Sequence, residues 1–245
     1  MRAAVVWKAL GPIDVRNVGR DPMLRLLALM PFFLAAGMRW GTPFAAQLLD
    51  EQMAFDLTPY YMLIVSMMLP VMPMICGMLI GFLLLDQRDD RTLTALQVTP
   101  LTLGGYLVYR ITLPMLVGAV TTLAFLPLIG LIEIAPATLL LGTLAAAPAA
   151  PIFALFLASF ARNKVQGFAL MKANGVVTWP LAAAYFVDYP WQLAFGLIPF
   201  YWPVKFFWMR QSGEEHAWIF LVLGLIWQGI LVWLLLRRFD RVSRE

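Results

Sequence analysis

Ionisable side chains are scarce in this chain, and where they gather their spacing favours contact over catalysis. The densest group runs from Asp86 to Arg91, five charges in six residues with Gln87 among them, followed by Thr92, Leu93 and Leu96. Asp89 or Asp90 suits a helix start, where an acid caps free N–H groups and opposes the helix dipole. Leu93 and Leu96 stand three apart and give one apolar edge, and Pro100 pushes Thr99 out of helical space. The pattern predicts a two-turn amphipathic helix over this loop. Its chemistry would be recognition, with an apolar ridge for a partner's groove and a charged rim of Arg88, Asp89, Asp90 and Arg91 for register. A solvated loop with a stray helical turn is the competing reading.

The remaining reactive residues offer less. His216 follows Glu214 and Glu215, a trio that reads as a solvated loop cluster and not as metal ligands. The single cysteine, Cys76, lies in an apolar run and reads as a buried small hydrophobe, and one thiol permits no intrachain disulfide. There is no phosphate-binding glycine loop and no His-Glu-x-x-His. Met67, Met68, Met72, Met74 and Met78 crowd one apolar stretch. Flexible thioethers suit a path for varied apolar ligands, and they suit ordinary packing equally well.

The elements that must position these residues follow from composition. Of 245 residues, 62% are hydrophobic and 13% charged, with a mean hydropathy of +0.79. A soluble domain is nearer half apolar and a quarter charged, so a soluble enzyme, a nucleic-acid-binding module and a disordered chain are excluded. The expected fold is an all-α polytopic membrane protein. Apolar runs place six spans at residues 24–41, 60–85, 104–132, 137–160, 165–187 and 217–236. Residues 191–204 are too short to cross and contain Pro199 and Pro203; they read as a re-entrant or interfacial segment. The outer stretch from Asp188 to Ala217, rich in Trp and Tyr, reads as a lid or anchor. Residues 1–21 form an interfacial helix with basic residues toward headgroups, broken or kinked at Gly11-Pro12. Charges run along it without a continuous apolar core, so it is not expected to be a cleavable leader. Asp21 and Pro22 then start the first span as cap and first helical residue.

Fifteen of the 18 Lys and Arg residues fall on one side, which these spans make the cytoplasm. Only Arg39, Lys205 and Arg210 fall on the other. Both termini are therefore expected inside, with an even number of spans, and the basic excess (+4 overall) faces anionic lipid headgroups and no nucleic acid. The second, fourth and last spans carry no charge. Arg39, Arg110 and Lys172 stand near span ends, where long side chains snorkel to the interface. No midplane charge pair suggests a proton relay or an intramembrane enzyme, so a transporter built this way needs a motor elsewhere. Seven prolines within the spans permit bends, and Gly77-x-x-x-Gly81 allows close packing with another helix, a second copy included.

These residues resemble the permease subunits of type-2 ABC exporters. The resemblance rests on the six spans, the interfacial helix, the Arg20-Asp21-Pro22 entry with Pro31 beyond it, and the second loop. In that loop Thr92-Leu93, Leu96, Pro100-Leu101 and Arg110 match the family's pattern in register. Two positions depart: the family's glycine is Arg91 here, and a family glutamate falls on Gln87. Within the family the look is that of small bacterial drug-export permeases, including those named for fluoroquinolone export. The resemblance implies that the second loop is a coupling helix, with Arg88, Asp89, Asp90, Arg91, Thr92, Leu93 and Leu96 docking on a separate ATP-binding subunit, two copies of which are expected. Arg162-Asn163-Lys164 would be a lesser contact. ATP and Mg would belong to that partner, with no cofactor and no catalysis in this chain. It further implies a second permease copy or paralogue, a multi-pass place in the bacterial inner membrane, and a hydrophobic or amphiphilic substrate passing the second and fifth spans. Two readings without this motor stand beside it: a membrane assembly or structural factor, and a secondary transporter.

Overall fold

The computed structural model describes residues 3–89 and 103–242, and these are helical with no strand among them. The helices are α1 (Ala3–Arg20), α2 (Pro22–Met53), α3 (Tyr61–Asp89), α4 (Leu103–Ile129), α5 (Pro136–Ala146), α6 (Ala149–Phe160), α7 (Lys164–Ala184), α8 (Tyr201–Gln211) and α9 (Ala217–Val242). Short 3₁₀ turns cover Thr58–Tyr60 and Trp191–Leu197. Asp90 to Leu96, and with them most of the expected coupling helix, lie outside the described residues; Arg88 and Asp89 end α3.

Among the described residues, five stretches are long and apolar enough to cross a membrane: Pro22–Met53, Thr58–Gln87, Val108–Ile129, Pro136–Phe160 and Ala217–Val242. The stretch expected as the fifth span is helical, as α7. Its 21 residues reach about 31 Å at 1.5 Å per residue, but Gln166, Lys172 and Asn174 dilute its apolarity, and it is not one of the five.

The first span starts as expected. Asp21 accepts from the backbone N–H of Met23 at 2.8 Å and of Leu24 at 3.3 Å, and Pro22 is the first helical residue. It ends twelve residues later than its apolarity implied, at Met53, because Ala45 to Leu49 and Glu51-Gln52 are good helix formers and need no membrane to continue the helix. Pro12 does not break α1, which remains one helix; Pro12 and Lys8, whose carbonyl its missing N–H would have served, are both exposed.

α3 is the hub, enclosed by α6, α4 and α2. The glycine pair there packs inside this chain and leaves no close face for another copy. A Cβ on Gly77 would stand 2.1 Å from the Ala150 carbonyl oxygen, and one on Gly81 would meet Leu157 at 2.9 Å. Gly77 thus lets α3 and α6 touch backbone to backbone, and Gly81 makes room for the Leu157 side chain.

The prolines act unequally. α3 runs unbroken through Pro70 and Pro73, and α4 through Pro114 and Pro127. The fourth span divides into α5 and α6 at Ala147-Pro148, where Pro148 and Pro151 each lack an N–H. The side-chain amide of Gln228, a fully buried residue of α9, donates to the Ala145 carbonyl beside this break at 2.9 Å.

The segment expected to be an outer lid or anchor packs on the bundle over part of its length. Its Trp191–Leu197 turn is followed by α8, which buries Tyr201, Val204, Phe206, Phe207 and Trp208 against the bundle. The Trp208 indole donates to Ser66 Oγ on α3 at 2.7 Å, whereas Tyr189 and Trp191 remain exposed.

Candidate functional site

At the end of α3 nearest the second loop, five polar side chains meet out of solvent. Asp14 comes from α1, Gln87 from α3, and Tyr106, Tyr109 and Arg110 from α4; all are buried, Arg110 completely. The local periodicity explains the meeting. On α1, Trp7, Leu10, Asp14 and Val18 recur at three- and four-residue steps and share one face, so the face that packs inward carries one acid. On α4, Tyr106, Tyr109 and Arg110 fall at i, i+3 and i+4 and form the complementary stripe.

Arg110 therefore does not snorkel. Its Nη1 donates to Asp14 Oδ2 at 2.7 Å and its Nη2 to Asp14 Oδ1 at 3.2 Å, a two-pronged pairing of the geometry that makes Arg–carboxylate bonds strong and directional. Nη2 also donates to Gln87 Oε1 at 2.7 Å. The Tyr106 hydroxyl donates to the same Gln87 oxygen at 3.0 Å and the Tyr109 hydroxyl to Asp14 Oδ2 at 2.8 Å. Both tyrosine rings lie within 5.3 Å of the guanidinium carbon, in cation–π range. Trp7 closes the outside with its ring edge-on to Tyr109, centroids 5.0 Å apart. Snorkelling would leave Asp14 buried without a counter-ion, which costs more than burying the pair together.

The departure at Gln87 now has a physical account. Asp14 supplies one carboxylate to one guanidinium, and the cluster is neutral. A glutamate at position 87 would put a second negative charge against the same buried cation.

Beside this cluster lies a second, more exposed one. Lys164, at the start of α7, pairs with Asp21 at 2.7 Å and with Asp86 at 2.9 Å. The bond from Lys164 holds the Asp21 carboxyl below its ordinary range. Burial works against the Lys164 charge, but the bonds to Asp21 and Asp86 outweigh it and raise its pKa. Together the two clusters tie the entry of the first span, the exit of α3, the entry of α4 and the start of α7 into one junction.

The expected site residues are distributed as follows. Arg88 and Asp89 follow Gln87 at the end of α3, and Asp90, Arg91, Thr92, Leu93 and Leu96 lie outside the described residues. Of the methionines, Met67, Met72, Met74 and Met78 are buried in the core and Met68 is partly buried against it. Lys164 takes part in the junction through its ion pairs. Sequence reasoning missed Asp14, Tyr106 and Tyr109. The available signal was a single acid in the apolar face of α1 and a single base in the apolar stripe of α4, each unpaired within its own helix.

A family model described as Fluoroquinolones export permease protein Rv2686c-like matches residues 14–236. The chain is 35% identical over 234 residues to the Fluoroquinolones export permease protein Rv2686c of Mycobacterium tuberculosis (strain ATCC 25618 / H37Rv), covering 94% of this chain and 92% of the relative. The same figures hold for the Fluoroquinolones export permease protein MT2760 of strain CDC 1551 / Oshkosh. No solved structure matches.

Proposed function

The chain belongs to the Rv2686c-like fluoroquinolone export permease family, and on that premise we propose that it is the membrane-spanning subunit of an ATP-driven ABC exporter. It forms the path for a hydrophobic or amphiphilic small molecule, a fluoroquinolone-like drug or a lipid. Two ATP-binding subunits drive it, and a second permease copy or paralogue completes the path. The protein is a multi-pass membrane protein; in this reading it has six spans, α7 among them, and sits in the bacterial inner membrane with both termini in the cytoplasm.

One observation supports the motor-driven reading above the others: the buried Asp14–Arg110–Gln87 junction stands at the base of the loop whose sequence resembles a coupling helix. A push on that loop reaches α3 through Gln87 and α4 through Tyr106 and Arg110. Because Asp14 bonds into both legs and belongs to α1, the three helices respond as a unit. Without such a tie, a short loop between two spans would absorb the displacement by bending. The drug-like substrate rests on the relatives' names, on the uncharged stretch of α3 from Tyr61 to Leu85 and on the absence of midplane ion pairs among the described residues of the spans.

The test is a mild-detergent pull-down of the chain from its host, with ATP hydrolysis assayed on the eluate, for the wild type and for Leu93→Asp with Leu96→Asp. Co-elution of an ATPase that the double variant loses, together with loss of drug export, is the expected result. An intact chain that brings down no ATPase, or a double variant that keeps both partner and export, would sink the motor-driven reading.

A further inference from the structure

Arg39 stands apart from the site just described. It lies on α2 about 26 Å along the helix from Pro22 at 1.5 Å per residue. A hydrocarbon core of about 30 Å therefore places it near the interface opposite the one where α2 begins. It is exposed, and among the described residues it forms no ion pair. Its Nη1 donates to the Leu128 carbonyl in the last turn of α4 at 2.8 Å, a position that the helix dipole makes favourable for a cation. Gly130, with φ +67°, ends α4 in the left-handed conformation; a Cβ there would stand 3.0 Å from Arg39 Nη1, so glycine leaves room for the guanidinium. That bond fixes the guanidinium in place and uses one of its donors, leaving Nε and Nη2 without a bond to the described residues.

Directly beneath it, toward the membrane middle, α2 and α4 leave a groove of about 270 Å³. Ala35 and Ala36 form its floor, Phe32 and Phe125 its far end and Trp40 its rim. The two phenylalanine rings meet edge-on at 6.1 Å, and Trp40 and Phe32 are largely exposed. From Phe32 to Arg39 the groove runs about 10 Å along α2, the depth of the upper part of an acyl chain. An apolar channel of that length, a fixed cation at headgroup height and an exposed tryptophan where aromatic belts lie are complementary to one kind of molecule. We propose that this groove holds an anionic phospholipid of the leaflet opposite Asp21, with its phosphate on Arg39 and one acyl chain against Ala35, Ala36 and Phe125. A guanidinium offers a phosphate paired donors that an ammonium does not. The proposal needs α2 to span but does not depend on an ATP-binding partner.

Native mass spectrometry of the purified, delipidated full chain tests it, titrated with dioleoyl phosphatidylglycerol and, separately, with dioleoyl phosphatidylcholine. One basic residue near a surface contributes about 1 kcal/mol toward anionic lipid, so the wild type should retain phosphatidylglycerol about fivefold more strongly than phosphatidylcholine. Arg39→Gln should abolish that preference, and Arg39→Lys should keep part of it. Because Arg39→Gln also removes the bond to Leu128, Ala36→Phe provides the second variant: it keeps the guanidinium, fills the floor and should lower retention of both lipids. An unchanged preference in Arg39→Gln, or unchanged retention in Ala36→Phe, would overturn the proposal. So would displacement of the lipid by equimolar norfloxacin, which would make the groove a drug site. A dimer that dissociates in Arg39→Gln would make it a contact between copies and would overturn it as well.

Discussion

Arg110 shows most plainly how a residue's meaning depends on what meets it. By position it is a base near the start of a span, where water is one side-chain length away. In the fold it is sealed beneath Trp7, Tyr106 and Tyr109 and neutralised by Asp14. Replacing one member of a buried ion pair strands its partner's charge, at a cost of about 3–5 kcal/mol, whereas replacing both with apolar groups of similar size is far milder. Arg110→Met and Asp14→Leu should each lower the unfolding temperature markedly, and the double variant should recover most of the loss. Cys76 is the chain's one cysteine and is buried, so a thiol-reactive dye reports unfolding directly in detergent. Additive losses in the double variant would show that the two side chains are not coupled. If the junction also transmits force, the double variant should be stable yet export poorly.

At the scale of elements, contact between α3 and α6 is set by absent side chains. Gly77 faces the Ala150 backbone and Gly81 faces Leu157, so any added carbon must push α6 away. Gly77→Val should destabilise the fold by about 1–3 kcal/mol, the usual range for overpacking, read by the same thiol assay. Gly37→Val, where a Cβ meets nothing within 4 Å, is the control and should change little. Equal effects at the two positions would point to helix propensity and not to the α3–α6 contact. The break at Ala147-Pro148 follows similar logic. Pro148 and Pro151 offer no N–H there, the Ala147 carbonyl takes the Ala150 N–H instead at 3.1 Å, and Gln228 of α9 supplies a donor at Ala145. Pro70 and Pro73 interrupt nothing comparable, because α3 is held on several sides by neighbouring helices.

For the whole molecule, α7 decides how often the chain crosses. α7 has the length to span but a diluted apolarity, and helices of that kind are held in membranes by protein contacts. Its start is bound to Asp21 and Asp86 through Lys164, on the side where the first span begins. With six spans, an impermeant maleimide applied to intact cells should label Glu51→Cys and Glu214→Cys in a Cys76→Ser background. It should leave Arg2→Cys and Glu245→Cys unlabelled until the cells are opened. Labelling of the tail in intact cells would mean an odd number of spans and would put α7 outside the membrane.

The membrane class, the all-helical fold and the first-span cap at Asp21 were legible in the residues themselves, because each depends on local composition or on neighbours within one turn. So was the resemblance carried by Thr92-Leu93, Leu96 and Pro100-Leu101, which is linear spacing. The partners of Asp14, Gln87 and Arg110 were not, since those residues are separated by dozens of positions and only the packing of α1 on α3 and α4 brings them together. Neither was the close contact of Gly77 with Ala150, because a glycine pattern marks where a close approach fits without naming what approaches. Apolar burial decides which stretches leave water; where two helices meet is decided by shape and by the need to pair every buried charge. Those requirements are met between segments far apart in sequence, and so tertiary structure alone settled them.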